Sequence, residues 1–334
     1  SGSSLYQSAL SDLLDGKAEA AFSKLRQVVT HDTNNIEAYL RLGQILREHN
    51  RSDKALEVHR DLTLRSGLGK GEKSAILRQL TCDYLALGEL STAEKALKEL
   101  IAVDDKSHWA YSNLLKLYHK QSKWEAAFDT AVIVLKLESD KSKKPLATYK
   151  FEMAQELYRK REYHKARIVY KEAIGLDPAM VEAYLAIGDS YAQESRLEDA
   201  IEFWNKLIAA VPDRSDIVIE RLKKTLFELG RYGDIVEICE NILSHAPRNM
   251  KARRTLAEFY EKKGDLNLAR EQLESLTDDF PDDLPTLVEL MRLYLEQDER
   301  RKLAELLSGL ERRLAKQDIS SGTPPTPETT PVPS

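Results

Sequence analysis

Catalysis and metal binding need reactive side chains at set spacings, and in this chain such residues stand apart. The seven histidines are His31, His49, His59, His108, His119, His164 and His245. None forms the HExxH pair that would set two imidazoles and a carboxylate on one helix face around a metal. Cys82 and Cys239 lie far apart in the sequence and belong to no CxxC. They write neither a zinc knuckle nor a disulfide framework, and two reduced thiols are expected. Gly67, Gly69 and Gly71 flank Lys70, but without the spacing or the preceding strand of a phosphate loop. There is no GxSxG elbow. The acid pairs Asp104-Asp105, Asp278-Asp279 and Asp282-Asp283 fall at the ends of helical patterns, where carboxylates favour the next helix N-terminus. The expectation is no catalytic residue, no metal ligand and no cofactor.

What remains is the chemistry of recognition. Arg47, Arg78 and Lys116 form a candidate basic strip, with Trp109, Phe151 and Tyr158 as aromatic neighbours and His119 and Gln155 completing the set. Cations bind carboxylates, and aromatics supply contact area at low entropy cost, so the strip suits an extended acidic peptide. The bland alternative is that the cations are solvated and the aromatics fill gaps between helices. Asp189, Lys224, Phe227, Arg254 and Arg292 continue the series. Lys plus Arg is 50 against 55 Asp plus Glu, a net charge of −5, which gives no basic field for nucleic acid. Other proteins or peptides are the expected partners. A homodimer stays open.

The elements that must position these residues repeat along the chain. Pro178, Pro212, Pro247 and Pro281 are spaced 34, 35 and 34, and each ends an apolar helical run. Before Pro212 stand Tyr184, Ile187, Gly188, Tyr191, Ala200, Trp204 and Leu207, and before Pro178 stand Met153, Ala154, Leu157, Ala166, Tyr170 and Ala173 in the same register. Spacings of 3, 4 and 7 within each helix, with a break of nine between, describe two amphipathic helices and a short turn. Small residues such as Gly188 and Ala200 let the two helices approach, while Tyr184 and Trp204 fill the space between them. Upstream, Tyr39, Leu42, Gly43, Ala55 and His59 keep the register, so His59 replaces an aromatic and is expected in the core or at its rim. Unit starts near 2, 36, 74, 108, 147, 181, 216, 250 and 284 give nine units, with insertions at Gly67–Gly71 and Ser139–Lys144. The candidate strip is the set of first-helix residues one turn out of phase with the core, which would line the concave groove of a stacked array.

The 34-residue period, the small-residue crossings and the terminal proline resemble the tetratricopeptide repeat. That resemblance implies an all-α, right-handed superhelical solenoid of about nine helix-turn-helix repeats over residues 5–316, with no enzymatic role. Residues 1–4 read as an expression scar and 317–334 as a Pro/Thr-rich tail. Two segments are more specific. Ala38–Gly43 followed by Ala55–Leu62, and Leu80–Tyr84 through Ala93–Leu97, are similar to early repeats of the lipopolysaccharide assembly protein B family. That family implies a regulatory adaptor linking a lipid A pathway deacetylase to a membrane protease. It also implies a cytoplasmic domain tethered to the inner membrane by an N-terminal anchor. Its rubredoxin-like zinc domain needs two CxxC pairs, which these residues lack. The competing expectation is a generic tetratricopeptide scaffold or cochaperone that takes extended peptides or C-termini in its groove, for which Asn113 with Lys116 is the one hint of an amide–cation clamp.

Overall fold

The computed structural model describes residues 2–321, with side chains over 4–313. Among the described residues all regular structure is helical. The Pro/Thr stretch from residue 322 onward lies outside the described residues. The chain divides into two compact units, Ser1–Met180 and Val181–Ser334.

Unit 1 is five helix hairpins. They pair α1 (Gly2–Leu14) with α2 (Ala18–His31), α3 (Ile36–Glu48) with α4 (Ser52–Thr63), and α5 (Lys70–Ala86) with α6 (Leu90–Val103). The last two pair α7 (His108–Lys120) with α8 (Trp124–Leu137), and α9 (Lys144–Arg159) with α10 (Tyr163–Leu176). Unit 2 contains four. They pair α11 (Val181–Gln193) with α12 (Leu197–Ala210), α13 (Ile219–Glu228) with α14 (Ile235–His245), α15 (Met250–Lys263) with α16 (Leu266–Asp279), and α17 (Leu284–Glu296) with α18 (Arg300–Ser321).

The prolines act where the sequence places them. The helix before each ends two residues short of it, and the intervening residue leaves the helical region: φ is −135° at Asp177, −138° at Val211, −132° at Ala246 and −135° at Phe280. Proline Cδ disfavours helical φ/ψ at the preceding residue, which fixes the stop. Asn35, Asn249 and Asp283 then cap the following first helices, their side-chain oxygens accepting from Ala38, Ala252 and Thr286 N–H.

Inside every hairpin one residue sits in the left-handed region: Gly16, Asn50, Gly88, Ser122, Arg161, Ser195, Gly230, Gly264 and Asp298. The residue after it donates its N–H to the carbonyl five positions back, at 2.7 to 2.9 Å, as in Arg51 to Leu46 and Glu299 to Tyr294. This is the hydrogen-bonded reversal that closes a helix C-terminus. The core then follows from the small residues. A Cβ on Gly43 would overlap the His59 ring, and one on Gly188 would overlap the Trp204 indole. Ala154, packed in the same register, leaves room for the fully buried Tyr170.

Three boundaries differ from expectation. The Gly67–Gly71 insertion is shared between a loop and the start of α5, because Glu72 accepts from Gly69 N–H at 2.8 Å and extends the helix to Lys70. α9 starts at Lys144 with Pro145 in its first turn, a position that needs no N–H donor. The seventh hairpin opens with a 3₁₀ turn over Pro212–Val218 before α13, so its regular first helix has 10 residues.

Candidate partner-binding face

The first helices carry a recurrent triad at positions i, i+4 and i+7, half-buried or exposed except for Leu40 of α3, which is buried in the core. In unit 1 it is Leu40/Gln44/Arg47 on α3, Arg78/Cys82/Leu85 on α5, Ser112/Lys116/His119 on α7 and Phe151/Gln155/Tyr158 on α9. Spacings of four and seven place each triad along one helix face.

Arg47 is already committed. It donates to Asp83 at 2.6 Å and to Gln79 at 2.8 Å, and its side chain is 17% exposed. Asp83 is wholly buried and also holds His59 Nδ1 at 2.5 Å, while His59 Nε2 lies 3.2 Å from the Leu40 carbonyl. Arg47, Asp83 and His59 thus form a buried charged cluster joining α3, α4 and α5. His59 is a core residue, as its register implies. Asp83 was not legible as its partner, because a lone acid beside a cysteine looks like any solvated helix residue.

Arg78 is exposed and stacks over Trp109 at 4.8 Å, linking α5 to α7. It also borders a cavity of about 390 Å³ between α3 and α5, lined by Glu37, Leu40, Arg41, Ser74 and Gln79 among others. Lys116 is exposed and makes no ion pair among the described residues. His119 shares a 3.0 Å hydrogen bond with the Tyr149 hydroxyl and packs edge-on against Trp124 and Tyr149, with centroids 5.6 and 5.1 Å away. Burial pushes the Tyr149 phenol up, so it stays neutral over the physiological range. Phe151 packs on Tyr170 at 5.5 Å and Tyr158 on Tyr163 at 5.2 Å, so both are half-buried spacers more than open contacts. Gln155 is half-buried beside them.

Arg78 over Trp109, together with Lys116, is the part of the strip that combines positive charge with exposure, and the exposed His119 lies beside Lys116 on the same helix. α7 has no acidic residue at all. Asn113 turns its amide onto its own helix, donating to the Trp109 carbonyl at 2.7 Å, which takes it out of a clamp with Lys116. Cys82 belongs to the same face. Burial pushes its thiol up, with the nearby Arg47 opposing, so it is a poor nucleophile.

No group of three or more His, Cys, Asp or Glu suited to a metal occurs among the described residues. No helix there is long and apolar enough to cross a membrane.

Models of the tetratricopeptide repeat match residues 151–215 and 226–294. Lipopolysaccharide assembly protein B of Escherichia coli K12 is 23% identical over 235 residues, covering 70% of this chain and 60% of that protein. The Haemophilus influenzae protein of the same name is 24% identical over 240 residues, with 72% and 60% covered. The chain therefore spans about 60% of the length of these relatives. Among solved structures, the C-terminal part of a tetratricopeptide repeat-containing protein from Cytophaga hutchinsonii aligns over 85% of this chain and 99% of its own, at 15% identity and a TM-score of 0.38. The chain thus carries tetratricopeptide repeats over these two stretches and is similar to lipopolysaccharide assembly protein B.

Proposed function

We propose that the chain is a non-catalytic adaptor of lipopolysaccharide assembly that holds an extended acidic segment of a partner on the first-helix face of unit 1. The observation that carries this reading is the acid-free α7, whose Trp109 receives Arg78 and whose Lys116 and His119 are exposed. Charge-assisted hydrogen bonds to ligand carboxylates, with an aromatic platform beside them, give both affinity and orientation.

In this reading the partners are a deacetylase of the lipid A pathway and a membrane protease, joined by the repeats on the cytoplasmic side of the inner membrane. The resemblance to lipopolysaccharide assembly protein B supports the pathway, and the basic face supplies the means of capture. The carboxylate-capturing cochaperone reading has less support, since Asn113 is turned away.

The test is capture of the purified deacetylase and the purified protease by the chain. Arg78→Glu combined with Lys116→Glu should weaken capture by more than 10-fold while the helical circular-dichroism signal stays unchanged. Undiminished capture of both would remove this face from the function.

A further inference from the structure

The aromatic side chains of the described residues are buried or half-buried, with one exception. Phe227, next to last in α13, is 74% exposed, and it is the only exposed Phe, Tyr or Trp among the described residues. Its ring stands edge-on to Tyr232 at 6.5 Å, and Tyr232 lies 5.8 Å from Phe259 of α15. Tyr260 backs Phe259 at 5.7 Å. Tyr232 belongs to the turn between α13 and α14, and Phe259 is close to the C-terminal end of α15. The row therefore occupies the edge of unit 2 where its first helices end and its hairpins turn.

Such a row suits a proline-rich chain. Phe227 and Tyr232 stand at 84° and Tyr232 and Phe259 at 40°, which makes a ridged apolar surface of the kind on which pyrrolidine rings pack. A polyproline II segment is already extended, so it loses little entropy on docking, and its carbonyls have no internal donors. The Tyr232 hydroxyl has no hydrogen-bond partner among the described residues and can donate to one. Charge does not select the ligand here. Lys223 is matched by Glu258 at 3.1 Å and by Glu220 at 3.8 Å, and Lys224 by Glu228 at 3.9 Å.

The chain carries a ligand of that chemistry. Residues 322–334 contain Pro324, Pro325, Pro327, Pro331 and Pro333, with Glu328 as the one charged side chain. Pro324 and Pro327 are three positions apart, which sets them on one side of a helix with three residues per turn. That pair cannot reach the row of its own copy. α15 and α17 are first helices of stacked hairpins and end at the same edge, and α18 runs back from that edge for 22 residues. At about 1.5 Å per residue its far end is roughly 30 Å away. Pro327 follows that end by six residues, a reach of about 20 Å when fully extended. We infer that the proline-rich tail of one copy docks on the Phe227–Tyr232–Phe259 row of a second, the two copies exchanging tails reciprocally. The exchange uses the same surface on both chains, so it closes at a dimer. It is independent of the reading of unit 1.

Analytical ultracentrifugation of the whole chain, over a micromolar to millimolar series, tests this. The wild type should pass from monomer to dimer. Phe227→Ala with Tyr232→Ala should weaken the dimer by about 10-fold or more, and so should Pro324→Ala with Pro327→Ala. An equimolar mixture of the two variants should regain one of the two contacts and associate more strongly than either alone. A synthetic peptide of residues 321–334 should dissociate the wild-type dimer. A monomer at every concentration overturns the inference. A dimer that neither pair of changes weakens overturns it as well, and so does a mixture no stronger than its components. Thermal melts show whether the ring variant keeps its fold. The proline changes leave every hairpin residue as it is, and they decide the matter if the ring variant unfolds.

Discussion

Two aspartates hold an arginine of a neighbouring first helix, one in each unit, and they do so in opposite solvents. In unit 1 Asp83 is fully buried between Arg47 and His59. In unit 2 Asp189 meets Arg221 through two bonds of 2.8 and 3.1 Å, with both side chains more than a third exposed. The drawing looks alike and the energetics differ. A buried carboxylate that loses its charge leaves Arg47 without a counter-ion, whereas an exposed pair that breaks is rehydrated. Unit 1 encloses Asp83 and leaves Arg78 and Lys116 exposed beside an acid-free α7. In unit 2 Asp189 stays at the surface, where it neutralises the Arg221 beside it.

Asp83→Asn breaks the comparison most severely. It should destabilise unit 1 by about 3 kcal/mol, because Arg47 and His59 remain in place without the carboxylate. Asp189→Asn, the paired control, should cost less than about 1 kcal/mol and lose even that in high salt. Urea melts of the two variants check both numbers, and equal costs would erase the distinction between the units.

The helix crossings should respond next. Gly188→Ala pushes a methyl into the Trp204 ring and Gly43→Ala pushes one into His59. Each should cost about 1–3 kcal/mol by overpacking. Gly43→Ala should be the worse, because displacing His59 also disturbs Asp83. A smaller loss at Gly43 than at Gly188 would show that the charged cluster yields more easily than an indole.

The two thiols give a pH comparison. Burial holds Cys239 of unit 2 at a pKa of about 12, against 9.0 for an ordinary thiol. As pH rises above 9 the unfolded chain releases this proton before the folded one, so stability falls. The slope is up to about 1.4 kcal/mol per pH unit until the folded thiol itself ionises. Alkaline melts of Cys239→Ala should lack this slope. In the native protein at pH 8 a thiol reagent should label the half-buried Cys82 first and reach Cys239 only on unfolding.

The smallest change should be a gain. Arg161 turns its hairpin at φ 61°, a conformation that costs a residue with a Cβ. Arg161→Gly should stabilise unit 1 by about 0.5–1 kcal/mol, whereas the Gly264 turn of unit 2, at φ 88°, already carries no such strain. A lower melting temperature would show that the Arg161 side chain contributes more than its backbone strain costs.

The sequence carried the hairpins because their signals are local. Pro178, Gly188 and Ala200 act through their own backbone or a neighbour sixteen residues or fewer away, and periodicity reveals them. The longer first helices α5 and α9 were missed because Gly69–Glu72 and Pro145 resemble loop residues until their hydrogen bonds are known. On the candidate face, Arg78, Lys116 and His119 are exposed as their register implies. Arg47 is not, because its fate depends on Asp83, thirty-six positions away, and on the burial of that acid. Phe151 and Tyr158 were legible as first-helix aromatics, yet which way each ring leans is decided by Tyr170 and Tyr163 on the following helix. Pairings across hairpins of variable spacing leave no periodic trace.

The left-handed turn residue found in all nine hairpins has a further consequence. Each reversal is settled by a few hydrogen bonds among adjacent residues, so a hairpin can form before the rest of the chain is made. Nucleation can start in any of them and spread to the next, and the ends should fray first when the protein is strained. The same independence lets a hairpin be duplicated or deleted between two turns while its neighbours keep their shape, which is how an array of this kind can change length without being reinvented.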